Sequence, residues 1–263
     1  MSNFFKLEHL GALTLSGPDA VTYAQAQFTN DIAAIDVNHW YPGAWCDPSG
    51  RVLAVMLAGR REEHVALVVP AWQVDALLER LKMYAIGRKV DFSSSADVCG
   101  CRDAGESASS LSYDSRRSLL IGRADCRDDS DEQARWKLDD LEARFPWLSP
   151  DSAGRHLPQS LGMEGLGGLS YTKGCFPGQE VIARVHYRGK VGYRVVQVRF
   201  DTGTVAPGTT LRHEDGSRAG EMLWSLPTGS GSAGLAVIAV GTEDGTPVLA
   251  ESGRDGLSGR VSL

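Results

Sequence analysis

The chain has 263 residues, 42% of them hydrophobic, and at roughly 150 residues per domain it makes one large unit or two ordinary ones. Twenty-seven Lys and Arg against 33 Asp and Glu leave a net charge of −6, which argues against a phosphate backbone as main partner while leaving room for a small basic patch. No stretch approaches the about 20 apolar residues of a membrane span, the start MSNFFKLEHLG lacks a basic segment followed by an apolar run, and five Cys are too sparse for a disulfide framework. These features predict a soluble, cytoplasmic protein with free thiols, and exclude disulfide scaffolds, collagen-like chains and disordered tails.

In chain order, the apolar run Ala12 to Leu15 predicts a strand that Gly17 and Pro18 end, and Val21, Ala24 and Phe28 then give one buried helical stripe. The turn Asp47-Pro48-Ser49-Gly50 leads into a strand over Val52 to Leu57, and Val65 to Val69 follows the charged turn Arg60 to Glu63, a meander. Val74, Leu77, Leu78 and Leu81 mark an amphipathic helix; Lys89 to Phe92 reads as a short strand, and Ser93 to Ser95 and Gly105 to Ser112 as loops. After a strand at Leu119 to Ile121, the acidic start Asp128 to Glu132 opens a helix with an apolar stripe of Ala134, Leu138, Leu141 and Phe145, stopped by Pro146. From Lys190 the texture becomes six short β-rich runs separated by turn clusters, among them Ser252 to Gly256, the spacing of a small antiparallel barrel. The expected architecture is α+β, with an α+β body over 1–189 followed by a β-barrel over 190–263.

Gly229, Gly231 and Gly234 spell G-x-G-x-x-G, but a β run follows them where a dinucleotide site needs a helix, so they read as a hairpin loop. Cys99 and Cys101 would share one face of a strand as buried structural thiols, and the six His show no metal-ligand spacing. The densest unusual stretch is Leu166 to Gly189, LGGLSYTKGCFPGQEVIARVHYRG. Pro177 suits the first turn of a helix carrying Val181, Ile182 and Val185 inward, which puts Cys175 in the loop at its amino end. The helix terminus, Lys173 and the more distant Arg184 favour thiolate there, and Gly174 and Gly178 allow close approach. The alternative is a buried thiol in a tight turn.

At about 100° per residue, Trp136 lies opposite its helix's apolar stripe and Glu142 at the border. Trp136 either stacks on a flat ligand or packs against another element; Glu142 either accepts bonds from a ring amine and amide, the donor pattern of a pterin, or is a solvated helix-edge acid.

The segment Lys173, Gly174, Cys175, Phe176, Pro177, Gly178, Gln179, Glu180, with Ala183, Arg184 and Tyr187-Arg188-Gly189, closely resembles the signature of the YgfZ family, folate-binding proteins of iron–sulfur protein maintenance. The resemblance extends to Leu15-Ser16-Gly17-Pro18-Asp19-Ala20, Gln25, Gln27, Thr29-Asn30-Asp31, Cys46-Asp47-Pro48-Ser49-Gly50-Arg51, Pro158-Gln159 and Leu166-Gly167-Gly168, and so covers nearly the whole chain. That family is similar to the T protein of the glycine cleavage system, a tetrahydrofolate-dependent aminomethyltransferase, and shares its folate-binding α+β body and carboxy-terminal barrel.

The resemblance implies a reduced folate (tetrahydrofolate or a derivative) as ligand, and as partners iron–sulfur enzymes, including tRNA-modifying ones, or their assembly factors, with no direct nucleic-acid or membrane binding. Trp136 falls on the family's folate-contacting Trp and Glu142 on the T protein's pterin-binding Glu, while Cys175 with Lys173 supplies a reactive thiol near the ligand. Four departures stand out. The T protein's acidic pair is missing from Gly50-Arg51-Val52-Leu53-Ala54-Val55, Gln179 replaces an Arg, Arg144 replaces a Gly, and Leu10 stands where an aromatic is sometimes found. The missing acids argue against the competing reading as an active aminomethyltransferase; a second competitor is a non-catalytic interaction module with a structural Cys175.

Overall fold

A computed structural model describes residues 3–102, 109–111, 114–123, 125–251 and 256–263. The elements run β1 Phe5–Lys6, β2 Leu10–Ser16, α1 Ala20–Gln27, β3 His39–Cys46, β4 Val52–Arg61, β5 His64–Pro70, α2 Val74–Tyr84, β6 Asp91–Ser95, β7 Val98–Arg102, β8 Ser109–Leu111, β9 Asp114–Ile121, α3 Ser130–Glu142 and α4 Gln179–Arg188. Six further strands follow: β10 Tyr193–Phe200, β11 Thr210–Arg212, β12 Arg218–Thr228, β13 Gly231–Ala239, β14 Pro247–Ala250 and β15 Leu257–Ser262.

The first nine strands form one sheet in the order β1-β7-β9-β8-β3-β4-β5-β2-β6, and the last six close a barrel in the order β10-β13-β12-β11-β14-β15. The architecture is therefore α+β with an antiparallel carboxy-terminal barrel. Strands β4 and β5 are apolar almost throughout because both sheet faces are covered: one by α1 and α2, through Tyr23, Ala24, Leu77 and Leu81, the other by α3 and the segment after it. The barrel has its own core of Val196, Val198, Phe200, Leu211, Met222 and Ile238. Its outer residues Leu223, Leu235 and Val237 join the body's core, so the two halves share an apolar seam.

The sequence expectations need correction in several places. Ser93 to Ser95, expected as loop, pair with β2 as the end of β6, an edge strand whose register Leu13↔Ser94 needs no apolar side chains from the serines. Residues 109–111 of the second expected loop form β8; the rest of that loop, and most of the turn at 252–256, lie outside the described residues. Helix α1 buries Ala24 and, at its end, Phe28 as expected, with Val21 half-buried against the same core, and adds Ala20 and Tyr23 to that face. The Gly229 to Gly234 stretch lies in the β12–β13 hairpin.

Helix α3 is turned relative to expectation. Of the expected stripe, Leu141 and Phe145 are buried, but Leu138 is 40% exposed and Ala134 is also at the surface, while Trp136 and Asp140 face inward in their place. The cause is Arg117 of β9, which is fully buried and needs a carboxylate: its guanidinium bonds to Asp140 at 2.8 Å and Asp114 at 2.7 Å and lies 4.5 Å from the Trp136 ring centre. Burying an indole and satisfying this cation outweigh the small apolar side chains of the other face.

Cys99 is not a free thiol. It is bonded to Cys126, whose segment is drawn along the sheet edge by backbone bonds from Lys6 to Arg127 and from Arg127 to Phe4, leaving the two Cα atoms 6.3 Å apart. The expectation of five reduced cysteines overlooked this pairing because 27 residues separate the partners.

Candidate functional site

Several of the segments that carried the sequence resemblance, those at Gln25, Thr29, Asp47 to Gly50 and Gln159, meet the loop and helix around Cys175. Thr29, just after α1, donates from its hydroxyl to Gly168 O at 2.7 Å, its carbonyl accepts from Ser170 N at 2.9 Å, and the same hydroxyl accepts from Ala44 N, tying the loop before Cys175 to β3. Gln25 bonds to Asp31 at 2.9 Å and to Lys173 O at 3.2 Å, and the Lys173 ammonium donates to Gln25 O. Below the loop, Gly178 is the N-cap of α4 at φ +80°, and a Cβ there would lie 2.5 Å from Asp47 O and 2.6 Å from the Gly50 Cα. Only two glycines let the Asp47–Gly50 turn and the motif loop touch backbone to backbone. Gln159 donates to Ile182 O at 2.7 Å and holds α4 from the other side.

On this platform Cys175 is free and exposed, whereas Cys46 and Cys101 are buried. Burial pushes the Cys46 thiol far up, away from thiolate. Lys173 is the perturbed neighbour: burial lowers its pKa to about 8 against the opposing pull of Asp31 and Cys175, and its ammonium lies 5.1 Å from the ring centre of buried Phe176. Pro177 sits ahead of the cap rather than in the first helical turn, since Gly178 takes the cap and α4 begins at Gln179. Gln179 is half-buried, and Glu180 and Arg184 are exposed.

Trp136 and Glu142 lie in contrasting surroundings, one enclosed and one exposed. The Trp136 ring, 1% exposed, is enclosed by Phe5 edge-on at 5.9 Å, by Arg117 and by the backbone at Gly100, where a Cβ would meet the indole at 2.7 Å. No face is open for a ligand to stack on. Glu142 is exposed at the end of α3.

A different set of aromatics surrounds a cleft of about 250 Å³ where the β1–β2 turn, α3, the segment after α3 and barrel strand β12 meet. Its walls include His9, Leu10, Trp72, Lys137, Trp147 and Trp224. Each indole N–H is already used: Trp72 donates to Leu148 O at 3.2 Å, Trp147 to Asp140 at 2.8 Å and Trp224 to Phe145 O at 3.3 Å. These bonds clamp residues 145–148 and leave the ring surfaces to line the cavity. Leu10, itself buried, backs the same wall. Neither Cys175 nor Lys173 lines it. The three indoles escaped the sequence reading because they sit on three separate elements without shared periodicity.

No protein-family model matches the chain. In architecture it is similar to the crystal structure of glycine cleavage system aminomethyltransferase T from Bartonella henselae, with a TM-score of 0.73 at 15% identity over 99% of this chain and 84% of that one. The fold is thus that of the aminomethyltransferase T class. In sequence it is 29% identical over 219 residues to the tRNA-modifying protein YgfZ of Colwellia psychrerythraea, covering 70% of this chain and 68% of the relative. The YgfZ of Vibrio vulnificus (strain CMCP6) is 29% identical over 273 residues, 88% and 82% of the two chains, and an uncharacterized Haemophilus influenzae protein is 32% identical over 200 residues, 72% and 70%. The chain belongs to the YgfZ family.

Proposed function

We propose that this chain is a cytoplasmic folate-binding protein that supports assembly or repair of iron–sulfur clusters in client enzymes, tRNA-modifying ones among them, with Cys175 as its reactive thiol. The observation that carries the reading is the three-indole cleft between body and barrel, an apolar slot with Lys137 at its wall, suited to a flat heterocycle with a carboxylate tail. The names of the YgfZ relatives support the link to tRNA modification. Folate lies between the indoles in this reading, not on Trp136. Lys173 and Cys175 form a second, separate station on the surface.

The chain's own residues argue against aminomethyl transfer, because Leu53, Ala54 and Val55 of β4 offer no carboxylate to move a proton where the T protein carries its acidic pair.

Calorimetric and fluorescence titration of the full chain with tetrahydrofolate tests the ligand. Binding should quench intrinsic fluorescence, and Trp72→Phe and Trp147→Phe should remove much of that quench, while Trp136→Phe should leave it intact. A quench lost only in Trp136→Phe would move the site. For the client role, a strain lacking its own homologue should recover iron–sulfur enzyme activity with the wild-type chain and not with Cys175→Ser; full rescue by that variant makes the thiol structural.

A further inference from the structure

Helix α4 carries a face that the thiol station at its amino end does not use. Arg184, Tyr187 and Arg188, spaced i, i+3 and i+4, share that face, and Lys190 follows in the turn that leads to β10. All four are exposed, Tyr187 by 67%, and none of the three cations has an ion-pair or hydrogen-bond partner among the described residues. Of the acids on and beside the helix, Glu180 is exposed in the first turn and Glu164 is taken by His186 Nδ1 at 2.8 Å. The helix dipole accounts for Arg188 in the last turn but not for Arg184 a turn earlier. In a chain of net charge −6, these cations form the small basic patch for which the composition left room.

Aromatic rings stand beside the cations. Tyr171, in the loop before Cys175, stacks on His186 with ring centres 3.9 Å apart and planes at 21°, and Tyr187 meets His186 edge-on at 4.7 Å. These contacts steady the Tyr187 ring while most of its surface stays in water. Folding does not require it there, because the inward stripe of α4 is supplied by buried Ile182 with Val181 and Val185 half-buried. The exposed large apolar side chains between residues 179 and 193 are both tyrosines, Tyr187 and Tyr193, so the face lacks an exposed aliphatic core for a protein partner. Unpaired cations around an open ring instead suit a single-stranded nucleic acid, whose phosphates meet the cations and whose unstacked base takes the ring. A Cβ at Gly189 would lie 2.9 Å from the Val185 Cα, so the glycine lets the chain leave the helix directly after Arg188.

We propose that this face of α4 binds a single-stranded nucleic acid, with Arg184, Arg188 and Lys190 on its phosphates and Tyr187 stacked on a base. The assignment is independent of the folate reading, since none of these residues lines the indole cleft. It departs from the absence of direct nucleic-acid contact that the sequence resemblance implies. Recognition here has little sequence preference, because phosphates carry no sequence information and every base offers a ring face.

Fluorescence anisotropy of the full chain with short, labelled, mixed-sequence RNA and DNA strands tests this. Wild type should bind at low salt, with log affinity falling against log salt at a slope of about −2 for three phosphate contacts; a Kd weaker than about 100 µM for both strands at low salt overturns the proposal. Tighter binding of RNA than of DNA would support the face and identify RNA as its ligand through 2′-hydroxyl contacts, and equal binding would support it for any single strand. Arg184→Ala combined with Arg188→Ala should weaken binding at least about tenfold and flatten the slope to about −0.7. Tyr187→Ala should weaken it about fivefold or more, while Tyr187→Phe, which keeps the ring, stays near wild type. The melting temperature should hardly move in these variants, because the side chains are exposed. Equal affinity in wild type and the double Arg variant, or an equal loss in Arg88→Ala combined with Lys89→Ala on the α2–β6 connection, would mean general charge attraction without a site and would overturn the proposal. Displacement of the strand by a glutamate-rich peptide at equal charge concentration would overturn it too, in favour of an acidic protein partner.

Discussion

At the scale of single residues, the five cysteines fall into three environments with different chemistry. Cys99 and Cys126 are joined, Cys46 and Cys101 are enclosed, and Cys175 is exposed on a loop beside Lys173. Thiol titration of denatured, unreduced protein should therefore find three groups, rising to five after reduction; five at the outset would mean that the bridge is open. In the native state an alkylating reagent should reach Cys175 first, mapped by peptide mass, since burial shields the others. Lys173 adds a pH signature. With its pKa held at about 8, it binds fewer protons in the folded chain than in the unfolded chain between that value and 10.5, so its contribution to stability rises with pH across this window. Competitive acylation should show Lys173 becoming nucleophilic around pH 8, well before exposed lysines; a midpoint near 10.5 would mean that the amine is solvated and the Gln25 contact is absent.

At the scale of elements, α3 shows what a sequence pattern carries and what it cannot. The helix itself was legible from its acidic start, which the structure bears out in the Asp129 side chain accepting from Glu132 N at 3.0 Å. Its rotation was not, because the deciding group, Arg117, comes from another element and an Arg on a strand reads as solvent-facing until its burial is known. The six barrel strands were legible from turn spacing and apolar runs, but their order was not, since β10 pairs with β13 and β15 and β11 with β14 across intervening strands. Strand β3 was missed because its run, HWYPGAWC, holds Pro and Gly and alternates poorly. The cleft was illegible for the same reason as the α3 rotation: it is assembled from elements distant in the chain. Trp136→Ala should accordingly cost about 3–5 kcal/mol of stability by emptying a filled core site, read as a drop in the urea midpoint, with no loss of folate affinity in the fraction that remains folded. Gly178→Ala should disturb the motif loop without touching that cleft, because the added methyl meets the Asp47–Gly50 backbone; circular dichroism near native together with altered Cys175 alkylation would show it, and unaltered alkylation would mean that the glycine contact does not set the loop.

At the scale of the whole molecule, body and barrel are joined by polar contacts as well as by the apolar seam. Glu221 on β12 is 3% exposed and faces the body segment 155–156, with His156 Nε2 2.8 Å from one carboxylate oxygen and Arg155 3.3 Å from the other; Arg218 adds a third contact at 2.8 Å. Burial alone would raise the Glu221 pKa, but the His156 bond and charge and the Arg155 guanidinium outweigh it, and the net shift is downward. A carboxylate held below its unfolded value contributes stability that is full above the ordinary Glu range and is lost as pH falls through the folded value. Glu221→Gln should therefore lower stability at pH 7 by about 1–3 kcal/mol, because His156 and Arg155 lose a charged acceptor at a buried seam. The deficit should shrink as the pH is lowered into the acid range, where wild type becomes protonated too. Urea midpoints of the two proteins at pH 7 and near pH 3.5 read this directly, and equal midpoints at pH 7 would show that the seam is held by its apolar residues alone. Because Trp224 lies on the same strand as Glu221, just past the seam residue Leu223, and also lines the cleft, loosening this seam should weaken tetrahydrofolate as well. A variant that loses seam stability but keeps full affinity would place the ligand wholly on the body.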